Sequence, residues 1–65
     1  MATGVGSKIK KFRVAAGMTR RILANAIDIT EGGLYKIERE DHVPSFALVA
    51  AIAKVLGKSL GDFDD

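Results

Sequence analysis

The sequence has no cysteine and no tryptophan, and its 65 residues include one proline and four aromatic side chains. Without cysteine, neither disulfides nor thiolate zinc sites can stabilise the chain, so the fold must rest on apolar packing. A chain this short has room for one core, and short helices are an economical way to build it. We therefore expect a single domain over residues 1–65.

A long hydrophobic run is also missing. The longest apolar stretch, Phe46–Ala53, stops at Lys54 and falls far short of the ~20 residues that a membrane-spanning helix needs. The opening residues are too weakly apolar for a signal peptide. We expect a cytoplasmic protein with no membrane partner.

The sequence lacks catalytic and metal-binding patterns as well. It contains no nucleophile with a neighbouring base and no glycine-rich phosphate loop after a strand. His42 is the single histidine, and without a second histidine or a cysteine it is expected to be a loop residue rather than a metal ligand. We therefore expect a protein that is not an enzyme and that has no metal, cofactor or small-molecule ligand.

Acidic residues do not occur in residues 1–21, which carry six basic side chains and a charge of +6. The remainder carries −4, so the net charge of +2 conceals a strong asymmetry. A localised basic end suits a phosphate backbone, although a solvated helix face would give the same count.

Apolar periodicity predicts the first helix over Val5–Ala16. Val5, Ile9, Phe12 and Ala16 fall at helical spacing and are expected to face inward. Gly17 stands just past them and is suited to end the helix.

Threonines precede the next two predicted helices. Thr19 can cap a second helix over Arg20–Ile27. Its expected buried face comprises Ile22, Leu23, Ala26 and Ile27. Thr30 can cap a third helix over Glu31–Arg39, with Ile29 packed on Leu34 as a hydrophobic staple. In this third helix Leu34 and Ile37 would face inward, and Tyr35 and Lys36 outward.

The polar segment Glu40–Pro44 is predicted to be a loop, after which Ser45 caps a fourth helix over Phe46–Leu56. The inward residues of that helix would be Leu48, Val49, Ile52, Ala53 and Leu56, and Gly57 would end it. A final turn would begin at Ser59, with Asp62 completing a capping box. Leu60 and Phe63 would then seal the core. The pattern predicts an all-α fold of five short helices.

The second and third helices are separated by about three residues, and the third has a polar outer face. That arrangement can place a recognition helix in the major groove of DNA. Two helices that merely form part of a core would have the same spacing, so this feature alone leaves both interpretations open.

A larger set of residues occurs in one ordered frame. It comprises Ile9, Phe12, Arg13, Gly17-Met18-Thr19, Leu23-Ala24, Ile29-Thr30, Leu34, Ile37-Glu38-Arg39, Pro44-Ser45 and the closing segment 52–60. With these residues the chain closely resembles the phage-repressor and Cro-like (XRE-like) helix-turn-helix family over about residues 5–63. The resemblance implies a lambda-repressor-like fold of five helices and a helix-turn-helix motif at about residues 19–38. It also implies binding of double-stranded DNA, commonly as a symmetric dimer on a palindromic operator.

The resemblance also implies roles for individual residues. Arg20 stands where relatives usually have a glutamine that holds a phosphate, and an arginine can make that contact more strongly. Thr30 and Tyr35 lie at positions similar to other phosphate contacts. The base-facing positions would be Glu31, Gly32, Gly33 and Lys36, with Lys36 as the main direct reader. Arg13 and Glu38 match a structural ion pair that ties the first helix to the end of the third.

The sequence departs from the family pattern at the two glycines and in the loop. Gly32 and Gly33 either let the helix start approach DNA closely or simply leave a frayed first turn. Glu31 could accept from a cytosine amine, although stabilisation of the helix start is the simpler role. The loop residues 40–42 are more acidic than is usual in relatives, which would weaken DNA affinity.

We expect sequence-specific DNA binding by a repressor-type transcriptional regulator. A homodimer is a further hypothesis, drawn from the family and from Val55, Leu60 and Phe63 near the end of the chain, although these side chains could instead all fold inward. The alternative is a protein-interaction module, such as an antitoxin or an accessory phage protein, that keeps the fold with weak or no DNA binding.

Overall fold

The computed structural model describes residues 4–63, which form four α-helices and a closing 3-10 helix. The α-helices are α1 (Val5–Ala15), α2 (Arg20–Ala26), α3 (Glu31–Glu38) and α4 (Phe46–Leu56), and the 3-10 helix is Leu60–Phe63. The prediction of an all-α fold with five short helices is confirmed, with the fifth being a 3-10 turn. Residues 1–3 and 64–65 of the predicted domain lie outside the described residues. Within residues 4–63, no helix has the length and apolarity needed to cross a membrane.

Hydroxyl caps begin three of the helices, as the sequence predicts. Thr19 Oγ1 accepts from the Ile22 amide at 3.1 Å, and Thr30 Oγ1 accepts from the Gly33 amide at 3.0 Å. At α4, Ser45 Oγ accepts from the Leu48 amide at 3.1 Å. In the capping box of the 3-10 helix, the Ser59 amide donates to Asp62 at 2.9 Å and lowers the pKa of that carboxyl. Each cap satisfies an amide that the helix itself leaves without a partner.

A residue with positive φ follows each α-helix of residues 4–63. These residues are Gly17 (73°), Asp28 (60°), Glu40 (68°) and Gly57 (70°). After α3, the Glu40 amide donates to the Ile37 carbonyl at 3.0 Å and the Asp41 amide to the Lys36 carbonyl at 2.9 Å, which is a Schellman motif. A Cβ disfavours this backbone by roughly 1–2 kcal/mol, a cost that Asp28 tolerates better than Glu40 because short polar side chains can hydrogen-bond locally.

The core lies where α1, α2 and α3 meet, and α4 and the 3-10 helix cover it. Ile9, Leu23, Leu34 and Ile52 are fully buried, and Ala24, Ile37, Ala53 and Phe63 complete the buried cluster. The Phe63 ring meets the Phe12 ring edge-on, with 5.3 Å between their centres. Burying these side chains is the main favourable contribution to folding, because the chain has no cysteine.

The predicted inward faces are wrong at several positions. Ala16 and Ala26 are exposed, and Ile22 remains 51% exposed. The buried residues of α2 are Leu23, as predicted, and Ala24, which the predicted face did not include. In a helix of two turns, the apolar pattern leaves the face ambiguous, and packing against α3 and α4 selects it. Leu60 is 38% exposed and only partly covers the core.

Gly6 is buried at the crossing of α1 and α3, which the sequence does not predict. A Cβ at this position would overlap the carbonyl oxygen of Ile37 and lie 3.2 Å from Glu38 Cα. The two helix backbones can therefore come this close only because residue 6 has no side chain.

Substituting Gly6 by alanine is expected to lower the free energy of unfolding by about 1–3 kcal/mol, because the helices must separate. Urea denaturation followed by far-UV circular dichroism measures the change. Gly32→Ala is the matched control, since a Cβ at Gly32 meets open space, and it should be neutral or stabilise by up to roughly 1 kcal/mol. Equal effects of the two substitutions would contradict the close packing at Gly6.

Candidate nucleic-acid interface

The threonine caps orient α2 and α3 and determine which backbone amides remain available at their starts. Thr30 Oγ1 already accepts from the Gly33 amide. At the start of α3, the amides of Glu31 and Gly32 are not bound by this hydroxyl. The hydroxyl proton of Thr30 is still free to donate to a ligand such as a phosphate. The helix start is therefore suited to an anion at Thr30, Glu31 and Gly32 rather than at Gly33.

The outer face of α3 carries most of the predicted site residues. Glu31, Gly32, Tyr35 and Lys36 are exposed, and Gly33 is half-buried. On the inner face, Leu34 and Ile37 are buried. The helix is therefore two-sided in the way the sequence predicts, and its polar side is not covered by the rest of residues 4–63.

The two glycines have different surroundings. A Cβ on Gly33 would lie 3.0 Å from Thr30 Oγ1, so a side chain there would crowd the cap. A Cβ on Gly32 would meet no atom within 4 Å. The cap therefore gives a structural reason for a glycine at position 33, whereas the internal packing gives none at position 32.

Arg13 and Glu38 form a buried pair between α1 and the end of α3. Arg13 Nε lies 2.7 Å from Glu38 Oε2, and Nη2 donates to Glu38 Oε1 at 3.1 Å. Nη1 of the same guanidinium donates to the Met18 carbonyl at 2.9 Å. All three nitrogens of Arg13 are thus engaged inside the protein, so this arginine joins α1, α3 and the α1–α2 connection.

Arg20 lies on the same side of the molecule as the outer face of α3, but it is not a free cation. Its Nε contacts Glu38 Oε1 at 3.2 Å, so one carboxylate serves two arginines. Its guanidinium carbon lies 4.9 Å from the centre of the Tyr35 ring. The Arg20 side chain is therefore 29% exposed and held by two residues of α3.

Sequence reasoning missed Arg39, which lies next to these residues. Arg39 Nη1 donates to Tyr35 Oη at 3.1 Å, and the guanidinium carbon lies 5.4 Å from the ring centre. The hydrogen bond to Tyr35, followed by the charge of Asp41, raises the pKa of Arg39. Residues 35 and 39 are one helical turn apart, and this spacing is the signal that could have found the pair.

The acidic loop is less available to repel DNA than its composition suggests. Glu40 Oε2 accepts from the Ser7 amide at 3.0 Å and from Ser7 Oγ at 3.2 Å, so its charge stabilises the start of α1. The α1 N-cap is Gly4, which has no side chain to do this. Asp41 lies 3.5 Å from Arg39 Nε, and His42 is exposed. Both acidic groups of the loop are therefore paired within the protein.

Comparison with known families gives a match over most of the chain. The family model described as helix-turn-helix matches residues 9–63, which include all of α2, α3 and α4. Neither the curated proteins nor the solved structures give a match to this chain.

Replacing Glu38 by alanine is expected to lower the free energy of unfolding by about 3–5 kcal/mol, because the buried charge of Arg13 would lose its carboxylate partner. Urea denaturation measures the loss. Glu31→Ala is the matched control, since it removes an exposed carboxylate at the other end of α3 and should cost less than about 1 kcal/mol. The double variant Arg13→Met/Glu38→Leu should be more stable than Glu38→Ala. A small loss for Glu38→Ala, equal to that of the control, would contradict the role of the pair.

Proposed function

The chain belongs to the phage-repressor and Cro-like (XRE-like) helix-turn-helix family of DNA-binding regulators, and we propose that it binds double-stranded DNA sequence-specifically as a repressor-type transcriptional regulator. In this proposal α3 enters the major groove. The observation that carries it is the exposed polar face of α3, with Tyr35 and Lys36 on it and Arg20 beside it. The buried face of the same helix fixes this orientation, since Leu34 is fully buried.

The contacts divide into those that position the protein and those that read bases. Arg20, Thr30 and Tyr35 would hold the phosphate backbone, with Thr30 donating its hydroxyl proton. Lys36 would read a guanine or hold a phosphate, and it is the main candidate for direct readout. Glu31 begins α3, where its negative charge would interact favourably with the helix dipole. As a second role, it could accept a hydrogen bond from a cytosine amine.

Selection of bound sequences from random duplexes tests these assignments. Lys36→Ala is expected to relax base preference at one position, and Arg20→Ala to weaken binding to all sequences alike. The affinity of the wild-type protein should fall steeply with salt, by a log–log slope of about −0.9 for each phosphate neutralised. A flat salt response would favour the alternative of a protein-interaction module. Variants that select the same sequences with unchanged affinity would contradict the contact assignments.

Gly32→Ala separates the two interpretations of the glycine pair. The substitution fits the isolated fold, because a Cβ at this position meets open space. If the α3 start approaches DNA closely, the added methyl group should reduce affinity about tenfold or more without loss of stability, as one methyl group in a tight contact can cost 1–3 kcal/mol. Fluorescence anisotropy on the selected duplex measures the change. Unchanged or increased affinity would indicate that the first turn of α3 makes no close contact.

The homodimer requires a different surface from the one first expected. Phe63 is buried and Val55 is partly buried against the core, so neither offers a large exposed side chain to a partner. Leu60 (38% exposed) and Phe46 (74%) remain, and both line a groove of about 370 Å³. The residues lining this groove belong to α1, α4 and the C-terminal segment, so a second copy seated there would leave α3 free for DNA.

Sedimentation in the presence and absence of operator-length duplex tests the dimer. Phe46→Ser is expected to shift the protein toward monomer and to weaken binding to a two-half-site duplex more than to a single half-site. Val14→Ser is the control, because it removes an exposed apolar side chain from α1 that does not line the groove. A wild-type protein that stays monomeric both free and on DNA would overturn the dimer.

A further inference from the structure

Tyr35 brings together two arginines that lie on different parts of the chain. Arg20 comes from the start of α2, and Arg39 follows the last residue of α3. Their guanidinium carbons lie 4.9 Å and 5.4 Å from the centre of the same ring. Two cations are therefore held side by side at the edge of the proposed DNA-binding face, against a ring that is itself 43% exposed.

The two arginines differ from Arg13 in how much of their hydrogen-bonding capacity the protein uses. Arg13 donates through all three of its nitrogens, and its side chain is 8% exposed. Arg20 contacts Glu38 through Nε, and its side chain is 29% exposed. Arg39 is the most exposed of the three, at 57%. Since a guanidinium has five donors, Arg20 and Arg39 keep capacity for an external anion.

Asp41 stands beside Arg39 because of the backbone turn that ends α3. The positive φ of Glu40 and the bond from the Asp41 amide to the Lys36 carbonyl turn the chain back toward the helix. The Asp41 carboxylate then lies 3.5 Å from Arg39 Nε, in a pair whose side chains are 57% and 56% exposed. An ion pair this exposed is weak, so another anion can replace the carboxylate at little cost.

We propose that Arg39 and Arg20 together bind a phosphate of the DNA backbone. In the free protein Asp41 forms an ion pair with Arg39, and the phosphate displaces the Asp41 carboxylate when DNA binds. Carboxylate and phosphate oxygens satisfy a guanidinium with similar geometry. Tyr35 is the positioning residue, since its ring and hydroxyl hold both arginines while the anion is exchanged. This inference rests on the proposed DNA binding and adds to it a residue and a competing carboxylate.

A double-mutant cycle distinguishes competition for Arg39 from general repulsion between Asp41 and DNA. Asp41→Asn is expected to raise affinity for duplex DNA by about two- to fivefold, the range of an exposed ion pair. Arg39→Ala should lower affinity for all sequences by about fivefold and reduce the salt slope by about one. In the Arg39→Ala background, Asp41→Asn should have little effect on affinity, because there is no longer an arginine for which the carboxylate and the phosphate compete.

Matched controls remove the same charges elsewhere. Lys54→Ala removes an exposed cation from α4, and Asp62→Asn removes an acid from the 3-10 helix while keeping an oxygen that can cap. Neither residue lies on α2, on α3 or in the loop after α3, so both variants should leave affinity within about twofold of wild type, since salt screens exposed charges. Tyr35→Phe keeps the ring and removes the acceptor for Arg39, so its affinity should lie between those of wild type and Arg39→Ala. Circular dichroism and thermal unfolding check that each variant is folded.

Duplexes with single neutral methylphosphonate groups locate the contact. At one backbone position, the methylphosphonate should lower the DNA affinity of the wild-type protein and leave the DNA affinity of Arg39→Ala unchanged. Equal gains from Asp41→Asn in both backgrounds, or no loss from Arg39→Ala, would overturn this inference while leaving the proposed function intact. A wild-type protein that binds no duplex at any salt concentration would overturn both.

Discussion

The arrangement of the helices depends on the interaction of the Glu38 carboxylate with two arginines. The two oxygens of Glu38 accept from Arg13, and one of them also contacts Arg20. Glu38 is 6% exposed, so its charge would be strongly unfavourable without these partners. Because Arg13 is on α1 and Arg20 on α2, a single side chain at the end of α3 links three helices. Apolar burial supplies most of the stability, and this pair constrains where α3 ends relative to the others.

The same carboxylate also links the core to the proposed DNA surface. Arg20 contacts Glu38 with its Nε and approaches the Tyr35 ring, and Tyr35 in turn accepts from Arg39. The groups proposed to hold phosphate are therefore restrained before DNA arrives, and less side-chain entropy is lost on binding. A buried ion pair often contributes little net stability. Here its position next to the outer face of α3 suggests that it serves orientation as much as stability.

Glu40 and Asp41 show how an acidic loop can be accommodated beside the helix proposed to bind DNA. Glu40 adopts a positive φ that a glycine would adopt more easily, and its carboxylate reaches the start of α1, where Gly4 supplies no cap. Asp41 is paired with Arg39 at the surface. The negative charges are thus directed to a helix start and to an arginine. From composition alone, both carboxylates would be expected to repel DNA. In the structure, Glu40 binds Ser7 and Asp41 pairs with Arg39.

The sequence by itself determined where the helices begin and, to within one residue, where they end. Caps and turn residues act over three or four positions, and Thr19, Thr30 and Ser45 each bind the amide of the third residue along the chain. It also determined that Leu34 and Ile37 face inward on α3. Only the tertiary structure decided which face of α2 is buried and that Tyr35 joins Arg20 to Arg39. It also decided that residue 6 must be a glycine, because α1 and α3 pack closely there. Most of these contacts join residues that are far apart in the chain, so no local pattern encodes them, and packing of one helix against another selects them.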